Sequence, residues 1–287
     1  RYVVLRESAP TNPDHGISIP VLAASYAVGE QIAGLLGSGP VTMHMVVATA
    51  HEIRSAETLT AATTGGDPDQ LVMLGAHIDS WIDQPGINGD GTGIAALLEI
   101  ARATAACDPI RKLSFVLWGV SYQQDVWGSI LYLAALSDEE RGRIHAYLDL
   151  EMLGSSNYAV IVHDGDGSRF GVPGPPRSAE IERFFVADML LRGIPTVEDL
   201  NRRNDTWAFV INDIPTGALT TAKPGLKTEE EVAMFGGTVD LEYDPCFLTD
   251  CDTVADTDMV ITEALARSFA NAAQFFGIDG LTVPPPP

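Results

Sequence analysis

Apolar positions along the chain follow two rhythms. Continuous β-prone runs at 71–76, 112–117, 146–152 and 158–162 read as strands. Between and around them, apolar residues recur at three- and four-residue spacing over 26–36, 92–106, 128–136, 178–191 and 257–276, which predicts helices, the first ending at Gly37. Short β-prone stretches at 41–48 and 57–62 suggest a hairpin. Apolar runs without alternation are what strands covered on both faces look like. Strands alternating with helices therefore predict an α/β fold about a mostly parallel sheet. In such folds ligands sit beyond the carboxyl ends of the strands, so the chemistry is expected after Ala76, Leu117 and Glu151 and near Cys246.

Composition then sets limits. With 46% apolar residues the chain can bury a sizeable core, and it holds no run of about 18 apolar residues, so no membrane span is expected. Acidic residues number 39 against 17 basic, a net charge of −22. A field of that sign repels phosphate backbones and anionic membranes; no nucleic-acid partner is expected, and the acidity serves solubility. Three cysteines are too few for a zinc ribbon. Cys246 and Cys251 enclose four residues at a Pro-Cys turn and are expected to pair, leaving Cys107 as a buried free thiol. Such a disulfide would imply an oxidising compartment and a secreted protein. Arg1, with no apolar signal core behind it, reads as the start of a processed or truncated product. Asn204-Asp205-Thr206 is a glycosylation triplet of little weight.

Gly75-Ala76-His77-Ile78-Asp79-Ser80, followed by Pro85-Gly86-Ile87-Asn88-Gly89-Asp90-Gly91-Thr92-Gly93, resembles the metal-binding core of the secreted zinc aminopeptidases, the family of aminopeptidase Y and the secreted leucyl aminopeptidases. The similarity runs on through Phe115 to Gly119, Gly128-Ser129, Tyr147 to Asn157, Ser178 to Glu182, Asn204 to Phe209, Ile214 to Gly217, Phe235 to Gly237 and Tyr243 to Thr253. The resemblance implies a zinc-exopeptidase-like three-layer sandwich over 41–279. It makes 1–40 the remnant of a protease-associated lid domain and 280–287 a Pro-rich tail. It also implies two zinc ions, which polarise a peptide carbonyl and acidify a water, and a glutamate base that takes the proton.

Residue by residue, the pattern departs from that family. His77 stands at the first histidine, but Gly89 occupies the bridging aspartate position and Asp90 is displaced by one. The base and its neighbouring ligand fall among Ser121, Tyr122, Gln123 and Gln124, in a segment one residue longer than the family's. Glu151 stands for an aspartate, and Leu248 for the late histidine. Glutamine cannot ionise and leucine has no donor atom. This donor count predicts a pseudopeptidase that acts by binding or assembly, with no catalytic residue and no cofactor. The alternative is a residual or repurposed metallohydrolase with one Zn²⁺ on His77, Asp90 or Asp125, and Glu151.

Weaker signals complete the list. Trp81, Asp79 and Trp207 are placed in the cleft, and Trp118 in the core. Asp252, Asp256 and Asp258 could help bind Ca²⁺. Gly119 to Gln123 faintly resembles a nucleophile elbow but lacks its second glycine. His163 and the turn Asp164-Gly165-Asp166-Gly167 are not distinctive. A peptide or protein partner and a homo- or hetero-oligomer are the associations considered.

Overall fold

A computed structural model of the chain describes residues 24–44, 46, 57–121, 126–200 and 204–283. The chain divides into two compact units, Arg1–Ser55 and Ala56–Pro287. In the first, α1 (Tyr26–Leu36) starts at Ser25, whose hydroxyl accepts the Val28 N–H at 3.4 Å, and has Gly37 as its C-cap.

The second unit is built on seven strands: β1 (Leu59–Ala62), β2 (Asp67–His77), β3 (Arg111–Trp118), β4 (Ile144–Leu150), β5 (Ile161–His163), β6 (Val197–Asp199) and β7 (Thr216–Thr220). Their order in the sheet is β1-β3-β2-β4-β7-β5-β6. The central pairs β3–β2, β2–β4 and β4–β7 are parallel, as is β5–β6; β1 and β5 run antiparallel to β3 and β7. Gly75 lies opposite both Val116 and Asp149, and His77 opposite Trp118. The carboxyl ends of β2, β3 and β4 are therefore level, and the residues that follow them emerge at one edge.

Side chains alternate across a strand, so each face of the sheet has its own core. Val72, Leu74 and Ala76 point to one face, with α2 (Thr92–Thr104), α5 (Ser178–Leu191) and α8 (Met259–Ala272) packed on it through Leu97, Phe185 and Phe269. Met73 and Tyr147 point to the other, where α3 (Trp127–Ala135) and α6 (Thr206–Val210) bring Leu133 and Phe209. Phe269 is fully buried, a burial that contributes about 1.5–3 kcal/mol. Helices on both faces of a mostly parallel sheet are the expected three-layer sandwich.

Three local expectations need correction. The expected hairpin of 41–48 with 57–62 falls partly outside the described residues, which exclude 45 and 47–56; β1 pairs with β3, Leu59 opposite Leu117, and 41–44 carry no strand. The last helix begins at Met259 because the Asp258 carboxylate caps it, accepting from Val260 and Ile261 N–H, and it widens to a π-type turn over Ala273–Ile278. Cys107 is free but only half-buried. Residues 284–287 of the Pro-rich tail also lie outside the described residues.

Candidate active site

A cavity of about 530 Å³ opens beyond the level strand ends, and His77, Trp81, Ser121, Glu151, Asp205 and Leu248 are among its lining. Each polar member is placed by the fold. His77 is the last residue of β2, Ser121 follows β3, Glu151 follows β4, and Asp205 is the N-cap of α6. The His77 ring meets the Asp79 carbonyl at Nδ1, 2.8 Å away. A carbonyl can only accept, so Nδ1 carries the proton, and in the neutral ring the lone pair lies on Nε2. That atom is 3.9 Å from Glu151 Oε1. Asp79 Oδ1 accepts the Ser121 N–H at 2.9 Å, and the Ser121 hydroxyl donates to Asp205 Oδ1 at 3.0 Å. Beneath the site, the Tyr147 hydroxyl accepts from Trp118 Nε1 and donates to Asp149, whose other oxygen accepts from the Thr206 hydroxyl at 2.9 Å.

Negative charge is concentrated here. Burial, then the neighbouring Asp149, pushes Asp205 up to about 7. Burial also raises Asp149 and carries Glu151 well above the ordinary carboxylate range. Asp90 is pushed up to about 8, again chiefly by burial. Burial opposes a charge on His77 too, but its link to Asp79 and the carboxylates Asp90, Glu151 and Asp205 outweigh that and raise it to about 10. For the carboxylates the shift is chiefly the cost of burying their charged form, whereas for His77 the surrounding carboxylates win over burial.

Of the residues singled out in the sequence, the structure brings His77, Ser121, Glu151, Trp81 and Leu248 to the cavity. Asp79 holds the histidine and the Ser121 loop, as described. Asp90 has a different task. Its carboxylate accepts the N–H groups of His77, Gly93 and Met152 at 3.1, 3.2 and 3.2 Å, which fastens β2 to α2 and to the loop after β4. The Gly89 N–H donates to Asp252 Oδ2. Tyr122, Gln123, Gln124 and Asp125 lie outside the described residues. Trp118 is wholly buried, and Trp207, on α6, is half-buried outside the cavity lining. Cys246 and Cys251 form a disulfide beside Leu248. The three aspartates considered for Ca²⁺ serve separate ends: Asp252 accepts from Asn88 and Gly89, Asp256 from Ser156, and Asp258 caps α8. Asp205 and Asp149 were missed in the sequence, because only the fold carries them to the same strand edge as His77.

Lys223 stands on the cavity wall and pairs with Glu231 of α7 (Glu229–Phe235) at 2.8 Å. Burial works against ionisation of Glu231, but Lys223, Thr228 and the Tyr243 hydroxyl outweigh it and lower the group from 4.5 to about 2. A depressed carboxylate stabilises the fold fully above its unfolded value, and that contribution is lost as pH falls through the folded one. Glu231→Gln is therefore expected to flatten the acid limb of the Tm–pH curve between pH 4.5 and about 2. Thermal unfolding across that range checks it, and an unchanged limb would refute the pairing's contribution.

The family model "Peptidase family M28" matches residues 58–274. The chain belongs to peptidase family M28. An aminopeptidase of Pseudomonas aeruginosa is 39% identical over 253 residues, covering 88% of this chain and 46% of its own length. A probable leucine aminopeptidase 2 of Aspergillus fumigatus is 33% identical over 275 residues, covering 94% and 54%. The chain thus spans about half the length of these M28 relatives. Among solved structures, a zinc aminopeptidase from Bacillus subtilis superimposes with a TM-score of 0.60 at 19% identity, over 76% of this chain and 48% of that one.

These findings overturn two expectations. A protein that only binds or assembles is not what M28 relatives at 33–39% identity, all named aminopeptidases, favour. Nor is a site without a cofactor what membership of peptidase family M28 favours. The physical reason for the error lies in the donor count. It followed sequence register, position by position, and left out Asp205, which reaches the cavity from another loop.

Proposed function

We propose that this M28 chain is the catalytic portion of a metal-dependent aminopeptidase-like hydrolase with a mononuclear zinc site. His77 Nε2 and Glu151 would supply the first donors, and Asp205, across the same cavity, would have to move in to complete the set. The observation that carries this reading is the orientation of His77: its Nδ1–H donates to the Asp79 carbonyl, so a cation displacing the Nε2 proton would meet a lone pair beside Glu151. A histidine fixed through its other nitrogen is the usual arrangement for a zinc ligand. Zinc–ligand bonds of about 2.0–2.2 Å put neighbouring tetrahedral donors about 3.4 Å apart. The 3.9 Å between Nε2 and Oε1 closes to that with a small rotation of the glutamate. One imidazole and two carboxylates leave the fourth position open, as catalytic zinc requires. Gly89 and Leu248 offer no donor side chain, which supports one ion rather than two.

When bound, the ion would polarise the scissile carbonyl and lower the pKa of a water to about 7. The chain's own residues do the rest. Ser121 orients Asp205 by donating to it, and Asp79 orients both His77 and Ser121. The acidic wall, with Glu242 and Asp244 beside Glu151, attracts the ammonium group of a peptide's amino end. Trp81, Phe247 and Leu248 give the same cavity an apolar side that suits an apolar terminal residue. The Cys246–Cys251 disulfide supports a secreted location, and the resemblance of 1–40 supports its reading as part of a lid domain.

Elemental analysis after dialysis, run beside a leucyl-anilide assay, tests the proposal. One equivalent of zinc is expected, with hydrolysis that a chelator abolishes and added zinc restores. Protein that takes up no zinc, or whose hydrolysis ignores the chelator, would overturn it.

A further inference from the structure

Away from the cavity, Asp164, Asp166 and Glu182 bring their carboxylates together, with one oxygen of each lying within 4.8 Å of the others. Asp164 and Glu182 are buried, Asp164 completely. One Asp164 oxygen accepts the Phe170 N–H at 2.9 Å, while the other, Oδ1, is buried with no hydrogen-bond partner. A buried carboxylate oxygen without a donor is destabilising, and a cation would supply the missing partner. Burial, then Asp166 and Glu198, raises Glu182 to about 7, a sign of the same crowding. Hydrogen bonds from Ser168, then smaller contributions from Asp164 and the Arg183 charge, hold Asp166 below the ordinary carboxylate range.

We propose that Asp164, Asp166 and Glu182 form a structural Ca²⁺ site that ties the loop after β5 to helix α5. The donor set is oxygen only, which suits a hard cation rather than zinc or copper. Coordination habit then separates calcium from magnesium: Ca²⁺ accepts irregular sets of protein oxygens, whereas Mg²⁺ demands a near-octahedral shell and keeps several waters. The loop is shaped for the purpose. Asp164, Asp166 and Ser168 stand at alternate positions, and the Ser168 N–H donates to Asp166 Oδ1 at 2.7 Å, which holds the turn. Gly167, between the last two, has φ +74°, and a Cβ there would stand 2.4 Å from Pro173 N. Glu182 supplies the closing carboxylate from α5. Its Oε2 already accepts the Gly165 and Asp166 N–H groups at 2.9 and 2.8 Å, and its Oε1 is still available for the ion. The ion would replace carboxylate repulsion by attraction and fix a turn to a helix start.

The test uses the whole chain, treated with chelator and then restored with zinc in every arm, so that the cavity site is constant. Millimolar CaCl₂ is expected to raise Tm by about 5 °C, and MgCl₂ much less. Asp166 is exposed, so Asp166→Asn should fold, keep the calcium-free Tm and lose the rise. Titration calorimetry with CaCl₂ should lose one binding event in that variant. No rise in the unmodified chain, an equal rise in Asp166→Asn, or an equal effect of Mg²⁺ would each overturn the proposal.

Discussion

His77→Ala is expected to lower kcat/KM for leucyl-anilide hydrolysis by at least about a thousandfold and to release the bound zinc. The ion would supply several kcal/mol of transition-state stabilisation, and every 1.36 kcal/mol is a factor of ten. His77 contributes the one nitrogen of the proposed donor set, and its ring is already oriented by the Asp79 carbonyl. The fold does not depend on that ring. The His77 backbone N–H keeps its bond to Asp90, and the β2 core from Val72 to Ala76 is untouched. Circular dichroism should therefore stay unchanged while zinc content and activity fall together. A milder companion is Ser121→Ala. Removing a group that only orients a ligand typically costs about 10–100-fold, so zinc should be retained more weakly and activity reduced within that range. Full activity in His77→Ala would place the chemistry elsewhere.

How far the sequence exposes this architecture depends on the length and burial of each element. β2 and β3 are continuous apolar runs because helices cover both faces, and α5 carries an unbroken helical rhythm; all three are legible. β7 is not. Thr-Gly-Ala-Leu-Thr has no run of β-branched or aromatic residues, and it becomes a strand because β4 and β5 flank it. The three-residue β6 is set by its pairing with β5 in the same way. Two short helices did leave signals. Ser137 with Glu140, and Thr228 with Glu231, are capping boxes that start α4 (Asp138–Gly142) and α7, and both patterns stand in the sequence.

The site divides along similar lines. His77 and Glu151 sit in recognisable motifs directly after strands, so their place at the sheet edge follows from the topology. Asp205 sits in Asn204 to Phe209, a stretch noted for the family resemblance and for a glycosylation triplet, with no ligand role read from it. It enters the cavity because α6 packs Phe209 against Tyr147, with ring centroids 3.7 Å apart, and so brings its own N-cap to the strand ends. Asp90 shows the converse. An aspartate beside a metal-binding motif invites a ligand role, yet three backbone N–H groups claim it. Counting donors by register treats a metal site as a string, whereas ligands are whatever side chains converge in space.

Gly93→Ala is expected to destabilise the fold by more than about 3 kcal/mol and to lower Tm by about 6–10 °C. Gly93 lies in the first turn of α2, where the helix crosses closest to β4. A Cβ there would stand 1.9 Å from the Leu150 carbonyl oxygen and 2.4 Å from Asp90 Oδ1. Neither neighbour can yield cheaply. Leu150 is sheet backbone, and moving Asp90 would strip a buried carboxylate of the N–H groups of His77, Gly93 and Met152. Overpacking alone costs about 1–3 kcal/mol, and each buried polar group left unsatisfied adds about 1–3 kcal/mol. Since Asp90 holds the chain on either side of His77 and Glu151, the variant should also lose zinc affinity at temperatures where it is still folded. Gly142→Ala is the control: nothing lies within 4 Å of its Cβ position, and its Tm should stay within about 2 °C of the parent. A Gly93→Ala protein with parental Tm and parental zinc affinity would show that the α2–β4 contact is not what holds His77 and Glu151, the proposed ligands, in register.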